Sequence, residues 1–248
     1  MDYTKKIIQD YWDFRSESYN NGAIENSEEE RSAWKIMLSQ AVEGKKGLKV
    51  LDVGTGPGFL ALLFAEMGNE VTAVDLSSNM LEKAKKNALK SSLSINFLQG
   101  DAENLQLPDE YFDIVVNKYL LWTLPDPKKA LIEWRRVLKE GGKIIAIDGN
   151  WNDHRLPGRL RRMTTNALRG VKEGKYMKIF RKQYSPIKKD LPLFSLKPEH
   201  VSKIFKDTGF EIVSIKRMDD LNKPSGKKEG LLDKLEFSDP VYFIKAEK

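Results

Sequence analysis

The chain has 248 residues, a formal net charge of +6 and no cysteine. The absence of cysteine excludes disulfides, Cys-based zinc sites and thiol nucleophiles. With only two histidines, no metal site is expected. Residues 1–6 lack the apolar core of a signal peptide, and no apolar run approaches the roughly 20 residues that cross a bilayer. A soluble cytoplasmic protein with a sizeable core is predicted.

Residues 1–40 are predicted to form an N-terminal helical cap. Ile7, Tyr11 and Trp12 give the first segment a partly helical apolar face. A second helix is expected to begin at Ser27, because the serine can cap it and the acidic residues 28–30 suit its first turn.

Residues 41–148 alternate between short apolar runs and segments with helical periodicity. Alternation at this spacing predicts a doubly wound, mostly parallel sheet. The glycine pair 141–142 is expected to end the last of the helices. The predicted elements are strands 48–53, 70–75, 94–99, 112–117 and 143–148, and helices 59–67, 79–90 and 128–139.

Residues 149–195 interrupt this alternation and form a basic insert. They hold 12 Lys/Arg against 3 Asp/Glu, a net of +9, whereas the rest of the chain carries a net charge of −3. Apolar spacing predicts two helices there, 160–168 and 175–182. The regular pattern resumes in residues 196–248 with helix 198–207 and strands 210–216 and 240–246, which we expect to form an antiparallel pair joined by a long loop. The whole chain is predicted to be one domain.

A glycine loop follows the first predicted strand. Gly54, Gly56 and Gly58 come directly after an apolar run that contains Asp52, and glycine lets the backbone approach a ligand closely because it has no Cβ. Asp75 ends the second predicted strand, where a carboxylate can accept hydrogen bonds from both ribose hydroxyls. The spacing is G-x-G-x-G and not the G-x-G-x-x-G of dinucleotide binders, which disfavours a dehydrogenase.

The loop resembles the first motif of class I S-adenosylmethionine (SAM) methyltransferases, and the resemblance covers roughly residues 45–150. The subgroup with the best match is the small-molecule methyltransferases related to ubiquinone and menaquinone biosynthesis, whose D-x-S-x-x-M-L pattern corresponds to residues 75–81. The resemblance implies a seven-stranded, Rossmann-like class I fold with N-terminal helices, a helical lid inserted after strand five, and SAM as cofactor. Further matching segments are G-D-A-E at 100–103, F-D-I-V-V-N at 112–117 and L-K-E-G-G-K at 138–143.

The same resemblance implies roles for individual residues. Backbone groups of the glycine loop would bind the methionine part of SAM, and Asp52 would act on it through water or the amino group. Leu76 and Met80 would sandwich adenine. Asp101 would accept from the adenine amino group, while the backbone N–H of Ala102 would meet a ring nitrogen.

Residues 11–19 resemble the W-D-x-x-A-x-x-Y segment of this subgroup, in which the tyrosine closes over the SAM site. Arg15 and Ser16 depart from the small residues of that segment. The predicted cofactor-binding residues are Tyr19, Asp52, Gly54, Thr55, Gly56, Gly58, Asp75, Leu76, Met80, Asp101, Ala102 and Asn117.

The acceptor side is less constrained by motifs. Methyl transfer from a sulfonium mainly requires alignment and removal of water, and a general base only if the acceptor arrives protonated. His154 is the candidate base, with an exposed loop histidine as the equal alternative. Instead of contacting the acceptor, Trp12 could pack between helices and Trp122 could lie in the core. The predicted acceptor residues are Trp12, Lys118, Tyr119 and Trp122, with Trp151 and Arg159 from the basic insert.

The predicted function is methyl transfer to a small, polar or anionic metabolite, which the basic insert could attract. Two functional alternatives stay open: an RNA methyltransferase and a SAM-binding protein without transfer activity. The absence of an N/D-P-P-Y motif after strand four argues against methylation of a base nitrogen. The charges of the insert could equally form a solvated helix face.

Overall fold

The computed structural model describes residues 2–19, 28–150, 170–218 and 241–248. Within these ranges the helices are α1 (Tyr3–Arg15), α2 (Glu28–Ala41), α3 (Phe59–Glu66), α4 (Ser78–Lys90), α5 (Pro127–Val137), α6 (Gly170–Ile187) and α7 (Pro198–Asp207). The strands are β1 (Lys49–Val53), β2 (Glu70–Asp75), β3 (Asn96–Gln99), β4 (Phe112–Lys118), β5 (Leu138–Gly149), β6 (Glu211–Arg217) and β7 (Val241–Glu247).

Seven strands of the described chain form one sheet, in the order β3-β2-β1-β4-β5-β7-β6. Strands β1 to β5 run parallel, and β7 lies antiparallel between β5 and β6. The strand order reverses between β1 and β4, so the loops that leave these two strands diverge and open a crevice at the carboxyl edge of the sheet. The predicted doubly wound, mostly parallel sheet with its antiparallel pair is confirmed.

Both faces of the central strands are buried. Val50 and Val116 pack in the core that lies against α2 and α3. Leu51 and Val115, one position away, pack in the core with Trp134 of α5 and residues of α7. Successive strand residues point to opposite faces, so a strand covered on both sides needs a continuous apolar run. This explains why the first strand could be recognised in the sequence.

The start of β5 corrects one prediction. α5 ends at Val137 and β5 begins at Leu138, so the expectation that the glycine pair 141–142 ends this helix is wrong. The register of β4 against β5 jumps from Phe112↔Leu138 to Ile114↔Lys143. A Cβ on Gly142 would lie 2.7 Å from the Lys139 carbonyl oxygen. The glycines therefore permit a tight bulge inside the strand.

α6 is longer than the predicted helix 175–182, because the apolar spacing continues to Tyr184 and Ile187, which are both buried. The other core boundaries lie within two residues of the predicted ones. The predicted cap residue Ser27, helix 160–168 and residues 219–239 of the predicted long loop lie outside the described residues. Each helix in the described ranges is too short or too polar to cross a bilayer.

Candidate functional site

The glycine loop between β1 and α3 forms one wall of a cavity at the carboxyl edge of the sheet. Gly54 and Gly56 line it with φ angles of +69° and +56°, a region in which other residues are strained. A Cβ on Gly54 would lie 2.7 Å from Leu120 Cδ1, whereas a Cβ on Gly56 would meet no atom of the described residues within 4 Å. The backbone of Gly56 is therefore exposed to the cavity, with room beside it for a ligand.

Three predicted residues shape this loop from outside the cavity lining. Asp52 Oδ2 accepts hydrogen bonds from Thr55 Oγ1 at 2.7 Å and from the Ala61 N–H at 3.0 Å. Burial raises the pKa of Asp52 to about 7, and these two hydrogen bonds oppose the rise. Gly58 is the N-cap of α3, and a Cβ on Gly58 would lie 3.2 Å from Ala84 Cβ. Asp52, Thr55 and Gly58 thus hold the loop on the helix and do not face the cavity.

A second wall of the cavity lies at the carboxyl-terminal ends of β2 and β3 and is called the β2–β3 end below. Asp75 accepts hydrogen bonds from the Gly56 N–H at 2.7 Å and from the Ser77 N–H at 2.9 Å, one on each oxygen. Burial raises the pKa of Asp75 to about 6, against the effect of these N–H groups. Ser77 also caps α4 by accepting from the Met80 N–H. The β2–β3 end is lined by Asp75, Leu76, Met80, Asp101 and Ala102.

Asp101 is bonded to a lysine that the sequence analysis did not single out. Lys5 Nζ of α1 lies 2.6 Å from Asp101 Oδ2 and 2.6 Å from Glu103 Oε2, and all three residues line the cavity. Glu103 is only 3% exposed, and its other oxygen accepts from the Asp126 N–H at 2.7 Å. Burial by itself lowers the pKa of Lys5, but the hydrogen bonds and charges of the two carboxylates outweigh burial and raise it. Lys5 is therefore charged.

Further polar contacts hold α1 across the cavity. Asp13 Oδ1 accepts from Ser77 Oγ at 2.6 Å, next to the cap of α4. Lys83 Nζ donates to the carbonyl oxygen of Tyr19 at 2.8 Å, just beyond the end of α1. α1 and the residues that follow it thereby contribute Trp12 and Tyr19 to the cavity wall.

The opposite wall, called the β4 end below, carries a lysine among aromatic rings. Lys118 Nζ lies 4.3 Å from the ring centroid of Phe59, 4.7 Å from that of Tyr119 and 5.1 Å from that of Trp34. Burial lowers the pKa of Lys118 to about 7, and the negative charge of Asp52 opposes this change. Ring faces stabilise an ammonium group. The β4 end is lined by Trp12, Tyr19, Lys118 and Tyr119.

Tyr119 follows β4 in a strained conformation. Its φ is +61°, and its N–H donates to the Ile147 carbonyl oxygen at 2.7 Å. Burial and the negative charge of Asp148 raise the pKa of Tyr119 to about 12. Burial also raises the pKa of Tyr19 well above its ordinary value. Both phenols are therefore neutral hydroxyls near pH 7.

Trp122 and Asn117 lie outside the cavity lining. Trp122 is 7% exposed and belongs to an aromatic cluster that joins α1 to α6. Asn117 is fully buried at the end of β4, and neither polar atom of its amide has a hydrogen-bond partner within the described residues. The aromatic cluster consists of Tyr11, Trp122, Phe180, Tyr184 and Phe194.

The cavity brings together most of the predicted site residues. His154, Trp151 and Arg159 lie outside the described residues. Lys5 and Glu103 were missed, although Lys5 shares a helical face with Ile8 and Trp12, and a lysine on an apolar face was a usable signal. The predicted residues that line the cavity are Trp12, Tyr19, Gly54, Gly56, Asp75, Leu76, Met80, Asp101, Ala102, Lys118 and Tyr119.

Comparisons with known proteins agree with this geometry. Residues 51–146 match the family model of a methyltransferase domain. The structure of a SAM-dependent methyltransferase from Aquifex aeolicus has a TM-score of 0.60 against this chain at 18% identity, over 100% of this chain and 99% of that one, which is a likeness of fold. The chain contains a class I SAM-dependent methyltransferase domain. SAM is the cofactor of this domain, and its activity is methyl transfer.

Two curated relatives of the methyltransferase are named for quinone biosynthesis. The ubiquinone/menaquinone biosynthesis C-methyltransferase of Shewanella halifaxensis is 26% identical over 201 residues, which cover 75% of this chain and 76% of that protein. The demethylmenaquinone methyltransferase of Renibacterium salmoninarum is 36% identical over 115 residues, 46% of this chain and 47% of that protein. The match therefore spans less than half of the second relative.

Proposed function

We propose that the methyltransferase transfers the methyl group of SAM to a small, polar or anionic acceptor bound at the β4 end. The observation that carries the proposal is one cavity that runs from Asp101 to Lys118. Its acidic side suits the amino and hydroxyl donors of adenosine. Its other side places a lysine among aromatic rings, which suits an acceptor with an anionic group and an apolar body.

Three features support SAM binding along the β2–β3 end. Gly56 leaves open space where a Cβ would stand, Asp75 is a half-buried carboxylate fixed by two N–H groups, and Asp101 lies farther along the same wall. In the proposed arrangement Asp75 accepts from the ribose hydroxyls and Asp101 from the 6-amino group of adenine. Leu76 and Met80 pack on the two faces of the base.

The other predicted cofactor residues are assigned as follows. The backbone N–H of Ala102 meets the ring nitrogen beside the 6-amino group, while Asp52 and Thr55 act by holding the glycine loop in shape. Tyr19 closes the cavity over the cofactor. The amide of Asn117 has no hydrogen-bond partner within the described residues. This supports a polar ligand or an ordered water at the end of β4, because buried amides are normally hydrogen-bonded.

Bound SAM supplies an electrophilic methyl group on a sulfonium sulfur. The protein's own residues align the acceptor and exclude water. Trp12 and Tyr19 cover the cavity, and the Lys118 ammonium holds the anionic group of the acceptor. An acceptor that arrives ionised needs no general base, so His154 is required only for a protonated acceptor.

The names of the two quinone-related relatives suggest a finer acceptor class. A phenol or hydroquinone ring would pack against Trp12, Tyr19 and Tyr119, and its ionised hydroxyl would pair with Lys118. In this proposal residues 1–40 act as a cap on the SAM-binding core 41–148, and the basic insert 149–195 acts as the acceptor lid. Residues 196–248 complete the sheet.

The test is transfer of label from methyl-labelled SAM by the purified full chain. Hydroxylated aromatic acids, hydroquinones, aliphatic carboxylates and RNA are offered in parallel, and binding of S-adenosylhomocysteine (SAH) is measured by calorimetry. We expect label in an anionic aromatic acceptor. Label in RNA alone would favour the RNA methyltransferase alternative. SAH binding without transfer to any acceptor would favour a SAM-binding protein, and tighter binding of NAD than of SAM would contradict the proposal.

A further inference from the structure

Lys5 places an unexpected cation at the β2–β3 end of the cavity. A lysine ammonium has three N–H donors. Two of them are taken up by Asp101 Oδ2 and Glu103 Oε2, each at 2.6 Å. Within the described residues these are the only acceptors bonded to Lys5. Because Lys5 lines the cavity, the third donor is left for a ligand.

The ammonium is also held in a fixed place. The side chain of Lys5 is 13% exposed, and that of Glu103 is 4% exposed. Glu103 is in turn anchored by the Asp126 N–H at 2.7 Å. A charged donor fixed by two carboxylates costs little extra entropy when it makes a third hydrogen bond, because its rotamers are already restricted.

The position of Lys5 selects one atom of adenine, and this step rests on the proposed function. The 6-amino group of adenine stands between two ring nitrogens, N1 and N7. In the proposed arrangement Asp101 accepts from the amino group and the Ala102 N–H meets N1. Asp101 Oδ1 accepts from the Glu103 N–H at 2.9 Å, and Lys5 is bonded to the other oxygen, Oδ2. We therefore place N7, the other neighbour of the amino group, on the Oδ2 side of Asp101.

We propose that Lys5 donates its third ammonium hydrogen to N7 of adenine, so that α1 recognises the base of the cofactor directly. Adenine would then be bound by groups from two separate parts of the chain. Asp101 and Ala102 belong to the tip of β3, whereas Lys5 comes from the N-terminal helix.

The test compares SAH with its 7-deaza analogue, in which a C–H group replaces N7, by calorimetric titration of the full chain. We expect the wild type to bind SAH roughly tenfold or more tightly than the analogue, as for the loss of a hydrogen bond to a charged donor. Lys5→Met is expected to bind the two ligands about equally. Lys6→Met is the matched control, because Lys6 is the next residue of α1, is 59% exposed and pairs with Asp10. It should keep the wild-type ratio.

Equal affinity of the wild type for both ligands would overturn the inference, and this comparison needs no variant. A preference for SAH that persists in Lys5→Met would overturn it as well. Tighter SAH binding by Lys5→Met would show that Lys5 competes with adenine and does not bind it. Failure of the wild type to bind SAH at all is a different result, since it would contradict the proposed function itself.

Discussion

The two ends of the cavity are assembled in different ways. Apart from Lys5 of α1, the residues of the β2–β3 end come from one continuous stretch, 75–102, in which Asp75 ends β2 and Asp101 follows β3. The β4 end combines Tyr19, which follows the first helix, with Lys118 and Tyr119, which lie about a hundred residues later. The rings around Lys118 add α2 and α3. Local motifs therefore encode most of the β2–β3 end, whereas the β4 end exists only after the fold has formed.

The ends also differ in the sign of their charges. Burial raises the pKa of Asp75 to about 6 at one end and lowers the pKa of Lys118 to about 7 at the other. Desolvation disfavours the charged form in both cases. The ends should therefore respond separately to substitution and oppositely to pH.

The largest expected effect is at the β2–β3 end. Asp75→Ala should lower SAH affinity roughly tenfold to a hundredfold, because it removes charge-assisted hydrogen bonds to the ribose. The acceptor KM at saturating SAM should stay near the wild-type value. Asp109→Ala is the control, since Asp109 is 71% exposed and pairs with Arg136 away from the cavity. Wild-type SAH affinity in the Asp75 variant would refute its assignment to the ribose.

The matching substitution at the β4 end is Lys118→Met. We expect it to raise the acceptor KM roughly tenfold through loss of one charge-assisted hydrogen bond, while SAH affinity stays nearly unchanged in a calorimetric titration. Lys49→Met is the control, because Lys49 Nζ also lies over a ring, 3.7 Å from the Tyr111 centroid. Lys49 is the first residue of β1 and therefore lies at the edge of the sheet opposite to Lys118. If Lys118→Met weakened SAH binding and left the acceptor KM unchanged, Lys118 would belong to the cofactor site.

The pH dependence should separate the ends further. The charge-assisted hydrogen bonds of Asp75 to the ribose need the ionised carboxylate. SAH affinity should therefore be full above the Asp75 pKa of about 6 and fall below it, by at most about tenfold per pH unit. The Lys118 ammonium is present below its pKa of about 7, so the acceptor KM should rise above that pH. Asp75→Asn should remove the pH dependence of SAH affinity, and Lys118→Met should remove the pH dependence of the acceptor KM. If each substitution changed both pH dependences, the two ends of the cavity would not act separately.

The smallest expected effect concerns the glycine loop. Gly56→Ala and Gly47→Ala each put a side chain at positive φ, +56° and +67°, with no atom of the described residues within 4 Å of the new Cβ. Each should lower the free energy of unfolding by about 1–2 kcal/mol. Only Gly56→Ala should also weaken SAH binding, by several-fold. Denaturant titrations and calorimetry on both variants check this, and equal SAH binding would show that the cofactor does not approach Gly56.

Helix ends in the core show where local signals were sufficient and where they were not. α5 begins within one residue of its predicted start, and the residues that fix this start, the cap Asp126 and the first helical residue Pro127, are both local. The glycine pair 141–142 gave a local signal of the same kind and misled, because the pairing of β4 with β5 continues past it. Strand pairing depends on a partner that is distant in sequence.

The residues of the site also divide into those that local sequence locates and those that depend on distant parts of the chain. Asp75 and Asp101 could be located from strand tips alone. Trp122 was expected near the acceptor, but the structure places it in the aromatic cluster with Phe180 and Tyr184 of α6. Whether an aromatic side chain packs in a cluster or faces a cavity depends on which helix covers it, and no local pattern carries that information.

The sequence by itself determined the doubly wound sheet, the glycine loop and the acidic strand tips, because these depend on periodicity, glycine chemistry and order along the chain. Only the tertiary structure decided that Lys5 joins Asp101 and that Lys118 lies among the rings of Phe59, Tyr119 and Trp34. Those contacts bridge long sequence separations. They follow from the way α1, α2 and α3 pack at the edge of the sheet, which the order of residues within each segment does not specify.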